Sequence, residues 1–301
     1  MSRSKAGTAE SPSLGLQWTD VIELAKPRIT LMVVITTAAG AYMAAPAAFS
    51  PVLLVGTLVA TALLASAASA LNQVFEADSD ALMARTANRP LADGRLEKGP
   101  VIRASLAATG LSLAYLALWV NLLTAVLGAA TWGAYLFVYT PMKRRTPLST
   151  LVGAVPGALP PLMGWAAASG SLESGAWVLF GLLFLWQIPH FLAIAWMYRE
   201  DYAKGGIPVL PVVDKSGLWT AVFMTSFTIA TLALTLVPLR LGVESNLYAV
   251  VAWLLGLGFL APGIVFAIRR STESARRVLL ASVLYLPAML AAMVLSYLPG
   301  A

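Results

Sequence analysis

The chain has 301 residues, 59% of them hydrophobic and 11% charged, with a mean hydropathy of +0.79. Soluble domains carry about 25% charged residues, so a single soluble core of this length is excluded and one membrane domain of several spans is expected. The absence of cysteine, with His190 the lone histidine, excludes disulfides, thiolate catalysis, Cys-ligated metals and any multi-histidine centre.

In chain order, residues 1–20 are polar and lack the compact apolar core of a cleaved signal peptide. They predict a flexible cytoplasmic arm ahead of a single transmembrane domain over 21–301. A span needs about 20 apolar residues. The chain offers nine such runs, at approximately 28–45, 51–75, 101–120, 122–140, 148–168, 174–197, 217–238, 246–268 and 278–297. A tight turn near Asn121–Leu122 separates the third from the fourth. Pro156, Pro160 and Pro161 predict a kinked fifth span. Gly153, Gly157 and the small-residue run 65–70 suit close helix packing in lipid.

The basic residues are one-sided. Arg3, Lys5, Lys26 and Arg28 precede the first span, and the rest follow spans two, four, six and eight, which accounts for 19 of the 20 basic residues, Arg240 excepted. The positive-inside rule places these segments and the N-terminus in the cytoplasm and the C-terminus on the opposite side. Loops 45–50, 169–174 and 238–246 of the other face are short and nearly uncharged, so function is expected at the basic end. The net charge of +6 therefore reads as juxtamembrane charge, and nucleic acid is not an expected partner; the lipid bilayer is.

Within the second span Asn72, Glu76 and Asp80 fall at i, i+4, i+8 on one helical face, with Asp78 off it. Oxygen-bearing side chains inside an apolar run need a partner. A hard divalent cation suits them, since Mg²⁺ is held by one or two carboxylates together with phosphate oxygens. Arg85, Asn88 and Arg89 follow directly, as neighbours for a phosphate. The competing explanation is a solvated loop whose charges mark the membrane surface. A second acidic place, Glu200 and Asp201 with Tyr202 and Lys204, ends span six. Two such clusters facing one another could hold a diphosphate between metal ions. Lys143 and Arg144 fit a phosphate-facing role, as do Lys26 and Arg28, although every loop on this face is basic. His190 lies inside span six, where a neutral imidazole could ligate or orient a haem iron or serve a purely structural hydrogen bond. Trp165, Trp186 and Trp196 could line a pocket or belong to core and interface.

The segments LAKPRIT at 24–30, NQVFEADSDALMARTANRPL at 72–91, YTPMKRRTPLST at 139–150, PGALPPLMGW at 156–165 and PHFLAIAWMYREDYAKGGIPVLP at 189–211 run in order across nearly the whole chain. In these segments the chain resembles the haem O synthases, a family of protohaem IX farnesyltransferases within the UbiA-type intramembrane prenyltransferases. The resemblance implies an all-α integral membrane protein of nine transmembrane helices, around a central cavity open to the cytoplasmic side of a bacterial inner membrane. It implies transfer of the farnesyl group of farnesyl diphosphate to a vinyl group of haem b, with release of diphosphate and dependence on Mg²⁺.

By position, Asn72, Glu76 and Asp80 match the first acidic motif, whose middle acid is usually Asp in the superfamily. The resemblance further implies Asn72, Glu76, Asp80, Glu200 and Asp201 as metal ligands and Asn72, Glu76, Asp80 and Asp201 as catalytic. Arg85, Arg89, Lys143, Arg144 and Lys204 are then expected at the diphosphate, and His190 and Tyr202 at the haem. A pathway link to a haem A synthase is implied as well. The second motif departs from the aromatic prenyltransferases, because Gly205 stands four residues after Asp201 where they repeat an acid. That disfavours, without removing, the alternative of a quinone-precursor or chlorin acceptor. A transporter would need polar groups near the bilayer midplane or on both faces, which the blank outer loops oppose.

Overall fold

The computed structural model describes residues 17–44, 50–240 and 246–296, and they contain helix and no strand. A short helix α1 (Trp18–Ala25) comes first. The spans α2 (Pro27–Ala44), α3 (Pro51–Asp80), α4 (Lys98–Val120), α5 (Leu122–Met142), α6 (Ser149–Ser169) and α7 (Ser174–Met197) follow. Two short helices, α8 (Arg199–Lys204) and α9 (Leu210–Val213), lead into the spans α10 (Leu218–Leu239), α11 (Asn246–Arg269) and α12 (Thr272–Ser296). Among the described residues nine helices are thus long and apolar enough to cross a bilayer, and the protein is a multi-pass membrane protein. Large side chains such as Leu118 and Leu284 stay exposed on the outer surface, as a lipid-facing surface requires.

Seven of the nine spans lie within about three residues of the sequence expectation. Two depart from it, both at polar ends. The second span runs on to Asp80 rather than stopping at 75, because its last polar side chains are buried and partnered. The ninth begins at Thr272 rather than 278, its first turn capped by Ser271 and Ser274, so Arg276 and Arg277 sit on the helix instead of in a loop. Most of the expected arm, residues 1–16, lies outside the described residues. Residues 18–20 are helical, while Arg3 and Lys5 lie outside the described residues, as do 45–49 and 241–245 of the opposite loops.

Local chemistry explains the breaks. Asn121 adopts an extended backbone (φ −167°, ψ 162°), accepts the Thr124 N–H at 2.8 Å and donates to the Ala166 carbonyl at 2.8 Å. It therefore ends α4, caps α5 and ties both to α6. In α6 the helix breaks at Leu159, ahead of Pro160 and Pro161. Two stretches, Leu116–Val120 and Ala134–Tyr139, are π-helical, which the sequence did not announce.

Span α7 is the spine of the domain. It packs against α6, α10 and α12, and the buried core around it includes Leu179, Leu182, Ile188, Leu192, Met224, Phe266 and Met289. Close approach depends on glycine. A Cβ on Gly164 would lie 1.8 Å from the Thr37 carbonyl oxygen, and one on Gly40 would lie 2.0 Å from that of Pro161, so α2 and α6 cross backbone to backbone. The Gly153 and Gly157 pair is similarly used, against the Tyr139 ring and the Gln187 amide.

Helix α1 is held by α3 and by the α3–α4 loop. Gln73 donates to the Glu23 and Leu24 carbonyls at 3.3 and 3.2 Å, satisfying the open end of α1. Buried Asp20 pairs with Arg95, whose guanidinium also donates to Asp93 and to the Asn88 carbonyl at 2.6 Å each. Lys26, with φ 47°, turns the chain into α2.

Gly164→Ala should lower stability by roughly 1–3 kcal/mol, because the backbone it meets cannot yield. Gly110→Ala, which meets nothing within 4 Å, should leave it unchanged. Thermal unfolding of the two variants in detergent, followed by size-exclusion chromatography, measures this.

Candidate active site

The last turns of α3 carry the polar centre. Asn72, Glu76 and Asp80 are 1%, 7% and 2% exposed, and each is engaged by a different segment of chain. The Lys143 ammonium, just past α5, contacts both Glu76 oxygens at 2.8 and 3.1 Å. Arg89 donates to Asp80 at 2.6 Å, and the Asp80 carbonyl accepts from the Thr86 hydroxyl at 2.9 Å. The Asn72 amide donates to the Thr140 hydroxyl at 3.1 Å, while its oxygen accepts from the Tyr135 hydroxyl at 3.2 Å and from Lys26 at 3.4 Å. The Thr140 hydroxyl in turn donates to the Tyr135 carbonyl at 2.8 Å, which leaves only its oxygen for Asn72 and fixes which way the amide faces.

The π-turn Ala134–Tyr139 makes this possible. It brings Tyr135, Tyr139 and Thr140 together at the end of α5, with the Tyr139 ring 5.1 Å from the Lys143 ammonium. Sequence reasoning passed over Tyr135, Tyr139 and Thr140. The available signal was three hydroxyl-bearing residues just before a lysine at a span end.

The second acidic place is joined to the first. The Arg85 backbone N–H donates to Asp201 at 3.3 Å, its guanidinium donates to the Tyr202 hydroxyl at 3.2 Å, and it lies over the Tyr198 and Tyr202 rings at 5.4 Å each. The loop after α3 and the helix after α7 therefore meet through Arg85, Asp201 and Tyr202. The other expected site residues are not drawn in. Arg144, Glu200 and Lys204 are exposed and their side chains make no hydrogen bond or ion pair among the described residues, and exposed Asp78 lies 3.6 Å from Lys98. Trp165 is core, and Trp196 packs edge-on to Phe266 beneath Arg199. Trp186 stacks on His190, whose Nδ1 is 2.8 Å from the Ser282 hydroxyl.

Electrostatics divide the cations. Burial works to lower the Lys143 ammonium, but the Tyr139 hydroxyl and the Glu76 carboxylate outweigh it and hold its pKa above the ordinary value. Lys26 is pushed down to about 7, by burial first and then by the positive charges of Arg89 and Lys143. A small, partly open apolar hollow of about 40 Å³, between Leu148, Leu151, Ile188, Leu192 and Phe223, shares no residue with the polar centre.

The donors on α3 fit a Mg²⁺. They are two carboxylates and an amide oxygen, all hard, all on one helix face. Among the described residues no three acidic or histidine side chains stand ready as a complete metal shell. Such a set suits an ion that arrives with phosphate oxygens rather than one caged by protein alone.

Nine apolar helices with buried acids and bases gathered at one end are the plan of an intramembrane prenyltransferase, and the chain belongs to the UbiA prenyltransferase family, which matches residues 33–293. Relatives within it are named Protoheme IX farnesyltransferase. That of Solibacter usitatus is 48% identical over 92% of this chain and 98% of its own, and that of Salinibacter ruber is 44% identical over the same shares. The Opitutus terrae relative is 40% identical over 96% of this chain and 98% of its own. Among solved structures, a digeranylgeranylglyceryl phosphate synthase superposes with a TM-score of 0.79 at 16% identity, covering 93% of this chain and 98% of that one. A UbiA homologue from Archaeoglobus fulgidus bound to GPP and Mg²⁺ gives 0.62 at 16% identity, covering 91% and 99%.

Two outcomes follow from the pairing. Lys143→Met leaves Glu76 buried without its cation and should destabilise on the order of 3 kcal/mol. Adding Glu76→Gln should recover most of that loss, as read by denaturation of the single and double variants. Because Lys26 loses its proton as pH rises through about 7, affinity for inorganic diphosphate with Mg²⁺ should fall between about pH 7 and 9. Calorimetry should find that fall shallower in Lys26→Met.

Proposed function

We propose that the protein transfers the farnesyl group of farnesyl diphosphate to a vinyl group of haem b, at the basic end of the domain and on the cytoplasmic side of a bacterial inner membrane. The observation that carries the reading is the file Asn72, Glu76, Asp80, with its acids neutralised by Lys143 and Arg89 from two other segments. The relatives named Protoheme IX farnesyltransferase support the acceptor. They favour haem over the alternative of a quinone precursor or chlorin. The one-sided distribution of basic residues supports the orientation.

Asn72, Glu76 and Asp80 would hold Mg²⁺, together with Asp201. When bound, the ion supplies Lewis-acid charge to the departing diphosphate. The protein's own cations do the remaining neutralisation. Lys143 and Arg89 exchange their carboxylates for phosphate oxygens, and Lys26 takes up its proton beside the anion. Arg85 contributes from the other cluster, where Tyr198 and Tyr202 hold it. The allylic C–O bond then breaks with its electron pair leaving on the diphosphate. The haem vinyl π-bond attacks farnesyl C1, and water adds to the resulting cation and releases a proton. Until that attack water must be kept away, which the apolar spans provide. His190 and Tyr202 stand on the acceptor side in this reading. Glu200, Lys204 and Arg144 are outer groups that meet the substrates as they arrive. The product, a farnesylated haem in the bilayer, is the substrate expected of a haem A synthase.

Purified protein given haem b, farnesyl diphosphate and Mg²⁺ should yield a haem heavier by a farnesyl group and one hydroxyl, seen by mass spectrometry. Glu76→Gln with Asp80→Asn should abolish the product. Prenylation of a phenolic acid in place of haem would move the acceptor to the quinone branch.

A further inference from the structure

His190 and its neighbours form a second ordered polar group, on the α7–α12 contact and apart from the acidic file. Its hydrogen bonds have a direction. The Ser282 hydroxyl donates to the Leu279 carbonyl at 2.6 Å, one turn back on α12. A hydroxyl has a single proton, so toward His190 Nδ1, 2.8 Å away, the Ser282 oxygen can only accept. Nδ1 must then carry the imidazole proton. Nε2 is left with its lone pair, and no hydrogen bond reaches it among the described residues.

The ring cannot turn freely out of this arrangement. Trp186 stacks on it at 5.0 Å with 27° between planes, and Phe191 meets it edge-on at 5.5 Å. Trp186 is itself anchored, its indole N–H donating to the Ser282 backbone carbonyl at 2.8 Å. Ser282 thus holds the imidazole with its hydroxyl and the stacking indole with its carbonyl. It is fully buried, whereas His190 keeps part of its surface accessible. A bare imidazole nitrogen whose other nitrogen donates to an oxygen is the arrangement of a metal-binding histidine, since the second bond fixes tautomer and orientation.

We propose that Ser282 is a positioning residue that holds His190 as its Nδ1–H tautomer and so presents Nε2 as an axial ligand to the iron of the incoming haem. The proposal rests on haem being the acceptor. It adds how the chain grips that acceptor, through a metal bond made far from the vinyl group that reacts. Ser282 acts through His190 and touches no substrate.

The chain has a single histidine, so ¹⁵N-histidine labelling of protein without a polyhistidine tag reports this ring alone. In lipid nanodiscs the wild type should show a protonated Nδ1 and an unprotonated Nε2. Ser282→Ala should shift the population to the Nε2–H form that predominates for free imidazole in water. Ferric haem b added to the wild type should give the Soret band and electron paramagnetic resonance of a histidine-ligated iron. His190→Ala should lose that signature and regain it with free imidazole, and Ser282→Ala should bind haem about tenfold more weakly. A wild-type ring protonated on Nε2, or identical haem spectra in wild type and His190→Ala, would overturn the proposal. Tautomer and ligation as expected, in protein that farnesylates no haem, would sustain this site and remove the transfer reaction instead.

Discussion

Two carboxylates buried at the end of an apolar helix set the terms for this end of the molecule. Glu76 and Asp80 cannot stay ionised in such surroundings without opposite charge nearby, and each needs a cation held in place. No cation on α3 serves them. Lys143 comes from beyond α5 and Arg89 from the loop after α3, while Lys26 reaches Asn72 from ahead of α2. The path of the chain between spans is thus governed by charge neutralisation as much as by helix packing. Arg95 and Asp20, which tie that loop to α1, extend the same logic one shell outward.

An arrangement held by ion pairs is suited to exchange. At about 4 Å and an effective dielectric near 20, one pair is worth roughly 4 kcal/mol before desolvation is subtracted. In the proposed reaction a diphosphate would offer Lys143 and Arg89 oxygens equivalent to those they hold at rest, so the cations would change partners without passing through an unpaired state. The carboxylates so freed would then be available to a divalent ion in the same event. Resting pairs and loaded site would then use the same charges in two pairings.

The spans were legible because membrane insertion imposes a signal that few other demands produce, about twenty apolar residues bounded by charge. Asn121, Pro160 and Pro161 mark their breaks openly. Less legible was the end of the second span, where Asn72 to Asp80 looks like a loop by polarity but stays helical because its side chains find partners from distant segments. The register of the three candidate residues survived that ambiguity, since i, i+4, i+8 spacing is a property of the helix itself. The π-turn in α5 had no signature in composition, and with it Tyr135 and Thr140 went unseen. Ser282 went unseen for a different reason. One serine in an apolar span is ordinary, and its meaning lies in a neighbour 92 residues away.

The family resemblance implies an Asp at the position of Glu76, and the structure gives the longer arm of Glu76 a use. Its two oxygens meet Lys143 at 2.8 and 3.1 Å, a nearly symmetric contact made from one buried helix to a residue just outside another. An aspartate there would withdraw the carboxylate by one methylene toward the α3 backbone. Lys143 could not simply follow, because its ammonium is also held over the Tyr139 ring, and that ring is fixed against Gly153 with no room behind it. The extra methylene and the missing side chain at Gly153 therefore belong to one geometric solution. Gly153 lets Tyr139 sit close to α6, Tyr139 sets where Lys143 can be, and Glu76 is long enough to reach it.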